Sequence, residues 1–386
     1  MSNVKHPVPK VIIIGGSLGG LFAGNMLKTL GWTVDIYERS QHDLDSRGGG
    51  IVLQPNVIDV FLKTGVNLQH SDLGVESRLR TTWHRDGSIQ HQSDSRQTQT
   101  SWSLIYTVMK DTFGDERYHR GKTLVEIAED DTSKTVTAIF NDGTTATGDL
   151  LIGADGNGST VRQWLWPEAQ PTYAGYVAWR GLVAEKDVPQ DAKALVGNFD
   201  FASVHTPHGG SHILGYLVPG EHNDTREGHR YYNWVWYRTA DEETRKDIMT
   251  NAKGDYRGYS IPEGQLAQHW VEHIRQEADE FLPPNFRAMV RATQQPFSQA
   301  IRDLMVKTMV KGRVILLGDA ASIPRPHTAA STSKAAYNAT FLAEALNQYP
   351  NDIDSALKAW EPQQLLLGQQ LYREGRRMGN YLMFNR

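Results

Sequence analysis

The segment VIIIGGSLGG, residues 11–20, constrains what this chain can fold into more than any other stretch. Four β-branched residues, Val11 to Ile14, read as a buried parallel strand, the glycines as a tight turn, and Leu21 to Leu30 as a helix closed by Gly31. In the fingerprint G-x-G-x-x-G the first glycine makes the turn, the second lets backbone approach a pyrophosphate, and the third lets helix pack on strand. Gly15 and Gly20 hold the outer positions and Ser17 the middle one. A serine there adds a hydroxyl that can itself bond phosphate, and the helix start still offers unpaired N–H groups to an anion. A second strand, Thr33 to Ser40, brings Glu38 about 20 residues beyond the glycines, where an acid accepts from ribose hydroxyls. The alternative for Glu38 is a solvated strand end. Lys5 and Lys10 before an apolar run imitate a signal peptide, but the strand, turn, helix, strand and acid make this the βαβ opening of a dinucleotide fold.

A chain of 386 residues, 39% of them hydrophobic, suggests two domains or one with an insertion. Residues 134–148 alternate as a hairpin would, with Asn141-Asp142-Gly143 at the turn. Tyr173 to Tyr237 is dense in aromatic and β-branched residues and reads as a sheet of its own. GRVILLGDAA, from Gly312, supplies a third strand, followed by a helix from about Thr332 to Leu346. The dinucleotide domain is therefore interrupted and resumed, over 1–75, 101–170 and 295–345. The inserted part covers 76–100 and 171–294, and 346–386 forms a C-terminal helical segment. A formal net charge of -4 without a basic block argues against nucleic acid, and no other apolar run approaches membrane-spanning length. Absence of cysteine excludes disulfides, thiolate metal sites and cysteine nucleophiles, and fits a reducing compartment, so the cytosol is the expected location.

Two further motifs accompany the glycine loop: GADGNGSTVR at 153–162 and GRVILLGDAA at 312–321. Asp155 and Asp319 each follow an apolar strand and are bounded by glycine, where open α/β sheets place ligands. The alternative is that each merely caps the next helix or turn. In their order and spacing the three motifs resemble the FAD-dependent aromatic hydroxylases of the group A flavoprotein monooxygenases. GGSLGG, GGGIVLQP, PTYAGYVAWRG, GDAASIPRPHTAA and WEPQQL resemble their 2,6-dihydroxypyridine 3-hydroxylase branch. The resemblance implies an α/β fold: a Rossmann-like FAD-binding domain of the p-hydroxybenzoate hydroxylase type, an inserted, mostly antiparallel substrate sheet, and C-terminal helices. It implies non-covalent FAD, consistent with no cysteine for a thioether link, and cofactor contacts at Gly15, Ser17, Leu18, Gly20, Glu38, Arg39, Arg47, Val125, Asp155, Asp319 and the run Pro326, His327, Thr328, Ala329, Ala330 and Ser331. Arg162 would help Asp155 build the cofactor region and serve NAD(P)H use. Ala329 and Ser331 stand where the family commonly has glycine.

The activity so implied is hydroxylation of a small electron-rich ring, such as a hydroxylated pyridine, by O2 through a flavin C4a-hydroperoxide, with NADH or NADPH as reductant. A homodimer is a family expectation. Such chemistry asks the protein for a dry pocket and a group that takes or stabilises the proton of a ring hydroxyl. His212 and Tyr216 lie four apart in FDFASVHTPHGGSHILGYLV, read as a hairpin turning at TPHGGS, so both share one strand face about 13 Å apart. The resemblance makes them the catalytic pair and adds Gln54, Tyr176 and Pro326 as substrate contacts. Ordinary packing is their alternative, and His327 is the next candidate base. His205, His208 and His212 lack a nearby carboxylate or cysteine and are poor evidence for a metal site. Among Tyr173, Tyr176, Trp179 and Arg180, one or two line the cavity; the basic YREGRRMGN reads as a solvated helix end. An oxidase or reductase of the same fold, or a non-catalytic flavin-binding protein, remain the competing functions.

Overall fold

The computed structural model describes residues 8–44, 49–67, 73–206 and 209–385, without the side chains of 204–206. Strand β1 (Lys10–Ile14) runs parallel to β2 (Thr33–Glu38) on one side and β10 (Leu150–Gly153) on the other. With β6 (Tyr118–Arg120), β17 (Val310–Lys311) and β18 (Val314–Leu316) they form a six-stranded sheet ordered β17-β18-β10-β1-β2-β6, parallel except for β17. Val11, Ile12 and Ile13 are wholly buried, as expected of a central strand covered on both faces. Helix α1 (Leu18–Thr29) starts already at Leu18, and packs with α3 (Trp102–Phe113) and α8 (Ser331–Gln348) around the same core. The expected hairpin is present as β8 (Thr135–Phe140) and β9 (Thr145–Gly148), joined by β7 (Leu124–Asp130) into a three-stranded sheet.

The aromatic-rich stretch forms β11 (Thr172–Ala184), β12 (Phe199–Thr206), β13 (Gly209–Val218) and β14 (Tyr231–Thr239). It is not a sheet of its own, which corrects the sequence reading. It continues through β4 (Val75–Trp83), β5 (Ile89–Ser101) and β3 (Gly50–Val52) at one end, and through β16 (Phe297–Met305), β15 (Ser260–Ile261) and β19 (Ser322–Ile323) at the other. Ten strands result, order β15-β16-β11-β14-β13-β12-β4-β5-β3 with β19 on β16. Pairings between segments so distant in sequence carry no local signal.

Alternation sorts the strands into two faces. Val177, Trp179, Ile213, Trp234 and Trp236 turn to one side and pack on α6 (Gln268–Phe281) and α7 (Pro284–Ala292) through Trp270, Phe281, Phe286 and Met289. Each such aromatic or aliphatic side chain contributes about 1.5–3 kcal/mol on burial. Tyr176, Ala178, Val235 and Tyr237 turn to the opposite side, where Met383 of α9 (Ile353–Phe384) meets them. Three short helices, α2 (Pro55–Lys63), α4 (Thr160–Leu165) and α5 (Glu242–Ile248), complete the fold.

Candidate active site

Two helix starts converge at the carboxyl end of the six-stranded sheet. At α1, Gly15 has φ +107°, and a methyl group on it would stand 2.5 Å from Ala154 O; one on Gly20 would stand 1.9 Å from Gly15 O. Ser17 is the N-cap, yet its side chain caps nothing, and the first turn holds no acid. Leu18 is buried behind it. Helix α8 begins the same way: its N-cap Ala330 offers no side-chain bond, its first turn has no acid, and Ala329 before it sits in the left-handed region at φ +51°. That conformation explains why glycine is common there, since a side chain costs about 1–2 kcal/mol in it. Gly19 lies against Leu317 and Ala335, so the two starts are neighbours. Both leave N–H groups free to meet an anion.

The acids divide. Glu38 is buried and accepts the Gly16 N–H at 2.8 Å and the Ser40 N–H at 2.9 Å, one bond on each oxygen, while Tyr118 donates to Gly16 O at 2.9 Å. Each carboxylate oxygen retains a lone pair for a ribose hydroxyl. Asp319 takes the Ser331 hydroxyl at 2.5 Å and the buried Lys334 ammonium at 3.2 Å on Oδ1, leaving Oδ2 without a partner among the described residues. Asp155, by contrast, caps α4: Oδ2 accepts the Thr160 and Val161 N–H groups and Oδ1 the Ser159 hydroxyl. Buried Arg162 donates to the carbonyls of Ala169, Asn157 and Ala320, bracing the D-G loop against the residue after Asp319. Arg39 is exposed at the end of β2, and Val125 is exposed at a bulge in β7. Arg47 lies outside the described residues.

On the free face of the ten-stranded sheet, β13 projects His212, Leu214 and Tyr216 together, as the period of two requires. His212 shares a hydrogen bond of 3.0 Å with Ser203 through Nδ1 and stacks toward Phe201 and Tyr237. Burial, with Arg80 nearby, lowers its pKa to about 4, so the imidazole is neutral at neutral pH. Tyr216 meets Phe199 edge-on at 4.9 Å, and burial pushes its hydroxyl up to about 12 against the pull of Arg180. At neutral pH it is a proton donor. From β11, Tyr176 and Arg180 face this side while Trp179 turns to the helices, as their alternation dictates.

Tyr176 Oη lies 2.9 Å from His327 Nε2, and the His327 ring lies 4.6 Å from Tyr237 and 6.5 Å from His212. Burial, then His212 and Arg325, lowers the His327 pKa to about 3. Arg325 holds the turn by a two-pronged ion pair to Asp303 of β16 and by Asn380 of α9. Thr328 bonds back to Arg325 O, and Pro326 is exposed beside it. Gln54, the N-cap of α2, makes no cap bond. His208 and the His205 side chain lie outside the described residues. The end of α9 is more than a solvated helix: a methyl on Gly379 would meet Tyr176 Oη at 2.7 Å, and Leu382 O abuts Gly210. Sequence reasoning missed Tyr237, Asn233 and Arg325, although the alternation that singles out Tyr176 also singles out the first two.

Residues 173–303, spanning most of the large sheet, match the family described as FAD binding domain-like. Over 376 residues the chain is 35% identical to the 2,6-dihydroxypyridine 3-monooxygenase of Paenarthrobacter nicotinovorans, covering 97% of this chain and 91% of that protein. The chain belongs to the FAD-dependent aromatic hydroxylases. Within these hydroxylases a 6-hydroxynicotinate 3-monooxygenase of Pseudomonas fluorescens is 25% identical over 88% of this chain and 83% of that protein. The solved structure of 2,6-dihydroxypyridine-3-hydroxylase from Arthrobacter nicotinovorans aligns with a TM-score of 0.90 at 33% identity, over 98% of this chain and 94% of that one. Like other such hydroxylases, the protein is a flavoprotein monooxygenase that takes FAD and uses O2 and NAD(P)H. The residues present fit that cofactor: two adjacent uncapped helix starts for its phosphates, and a buried Glu38 with lone pairs to spare for its ribose.

Proposed function

We propose that this enzyme hydroxylates a small hydroxylated N-heterocycle of the 2,6-dihydroxypyridine class. The observation that carries the reading is the single face of β13 that presents His212 and Tyr216 beside Tyr176, Tyr237 and His327, an aromatic, largely buried surface with a few polar groups, the character of a site for a flat ring. FAD, when bound, supplies the reduced flavin that reacts with O2 and delivers oxygen to the ring. The protein's own part is to hold and desolvate that ring. Neutral His212, anchored through Nδ1 by Ser203, accepts the proton of a ring hydroxyl, and Tyr216 donates a hydrogen bond to the resulting oxygen. Gln54 and Pro326 border the ring. For the cofactor the reading assigns Gly15, Ser17, Leu18, Gly20, Glu38, Arg39, Arg47, Val125, Asp319 and 326–331, with Asp155 acting through the helix it caps.

The reading includes a cytosolic protein working on free small molecules. Its support is the slight negative charge and, among the described residues, the absence of a helix long and apolar enough to cross a membrane. A homodimer completes it, to be checked by light scattering. The deciding experiment offers the FAD-loaded protein a panel of hydroxylated pyridines and phenols with NAD(P)H. Substrate-stimulated NAD(P)H loss with a product heavier by one oxygen is expected. NAD(P)H loss without oxygen in the product would replace hydroxylation by oxidase or reductase chemistry.

A further inference from the structure

Lys334 is a buried cation at a place where the helix itself opposes one. It lies in the first turn of α8, at the positive end of the helix dipole, with its side chain only 1% exposed. Around its ammonium stand Gly318 O at 3.1 Å, Asp319 Oδ1 at 3.2 Å, Ser322 Oγ at 3.1 Å and the carbonyl of Ser322, so the G-D turn closes on it from both sides. Burial pulls its pKa down, and the charge of Asp319 pulls it back up.

The turn is already held without that charge. One helical turn on, Asn338 accepts the Gly318 N–H at 3.1 Å, and is itself fixed by Gln364 of α9 at 2.8 Å and by the Trp360 indole on its carbonyl. A neutral side chain thus ties α8 to the same glycine that Lys334 reaches. What a cation adds is balance for Asp319, whose Oδ1 also takes the Ser331 hydroxyl. Glu38 serves the start of α1, and Asp155 is covered by the N–H groups of α4, so Asp319 is the carboxylate at the start of α8. A bare carboxylate within hydrogen-bond reach of a diphosphate repels it.

We propose that Lys334 is a positioning residue of the cofactor site: its buried ammonium neutralises Asp319, so that the G-D carboxylate accepts from a cofactor hydroxyl through Oδ2 without repelling the cofactor's phosphates. This rests on the reading that assigns Asp319 to FAD. No bond is made or broken and no proton moves. Asn338 carries the neutral tie, and Lys334 sets the charge. The ion pair then presents an acceptor with no net charge, and the positive ends of the two uncapped helices stay unopposed.

The test is the dissociation constant of FAD from the loaded full-length protein, read as the return of free-flavin fluorescence on dilution. Lys334→Gln, which keeps a donor and drops the charge, should weaken FAD at least about ten-fold, the scale of one charged hydrogen bond. Adding Asp319→Asn should restore part of that loss, because the unbalanced carboxylate goes with it. A purely mechanical clamp gives the opposite sign, since the doubly substituted protein then lacks both a tie and a charged acceptor. If that protein binds FAD no tighter than Lys334→Gln alone, the proposal is overturned and the assignment of Asp319 to the cofactor stands. Wild-type affinity in Lys334→Gln with altered affinity in Asp319→Asn has the same meaning. Wild-type affinity in both single variants and in the double one sinks the Asp319 assignment as well. Lys334→Met, uncharged and of similar length, supplies the comparison should the glutamine variant fail to fold.

Discussion

His212 and Tyr216 are driven in opposite directions by the same cause. Burial disfavours the charged form of each, which lowers the imidazole to about 4 and raises the phenol to about 12. At neutral pH one can accept a proton and the other donate a hydrogen bond, the division that handling a ring hydroxyl requires. His212→Ala and Tyr216→Phe should each lower coupled hydroxylation, His212→Ala by 10²- to 10⁴-fold, with FAD content nearly unchanged and NAD(P)H oxidation diverted to hydrogen peroxide. Parent rates with the parent pH profile in both variants would make the pair structural. The lowered imidazole also acts on stability. The unfolded chain takes up a proton near pH 6.5 and the folded one not until about 4, so folding is undiminished above 6.5 and weakens as pH falls through that window. His212→Asn should therefore lose less melting temperature than the wild type between pH 6.5 and 4.5 by differential scanning calorimetry; an equal loss would contradict the neutral imidazole.

Strand β13 was legible because its side chains alternate, so His212 and Tyr216 could be placed on one face without coordinates. Helices α1 and α8 were legible through their glycine and small-residue starts. What was not legible is what α9 does. Its glycines show no pattern that says what they touch, yet Gly375 lies against Arg325 and Gly379 against Tyr176, and Leu382 O would stand 2.0 Å from a methyl on Gly210. Nor could an isolated reading tell which aspartate caps a helix: Asp155 and Asp319 look alike in sequence, yet Asp155 has both oxygens engaged at the start of α4, whereas Asp319 bonds Ser331 and Lys334 through Oδ1. Gly210→Ala should force α9 off β13 and cost about 1–3 kcal/mol in urea unfolding, as overpacking does. Gly158→Ala, with open space around it, should stay within about 0.5 kcal/mol. Equal effects would mean that α9 is not seated on that strand.

The large sheet ties the molecule together, because β3, β4 and β5 precede the D-G motif in the chain, β11 to β14 follow it, and β16 leads into the G-D motif. Segments before, between and beside the two motifs thus share one sheet. A single unfolding transition is expected, coincident by tryptophan fluorescence and circular dichroism, and FAD at a hundred times its dissociation constant should raise its free energy by about 2.7 kcal/mol. Acid precipitation should release the FAD, and Glu38→Ala should shrink the FAD-induced rise. Two separated transitions, or an undiminished rise in Glu38→Ala, would count against this arrangement and against the ribose role. The seating of α9 on Gly209 and Gly210 has a temporal consequence. Chains fold from the amino end as they leave the ribosome, and the turn of β12 and β13 emerges long before Leu382 and Met383. For much of translation β13 therefore lacks the helix that closes against Gly209 and Gly210, and this part of its face stays uncovered until Leu382 and Met383 arrive.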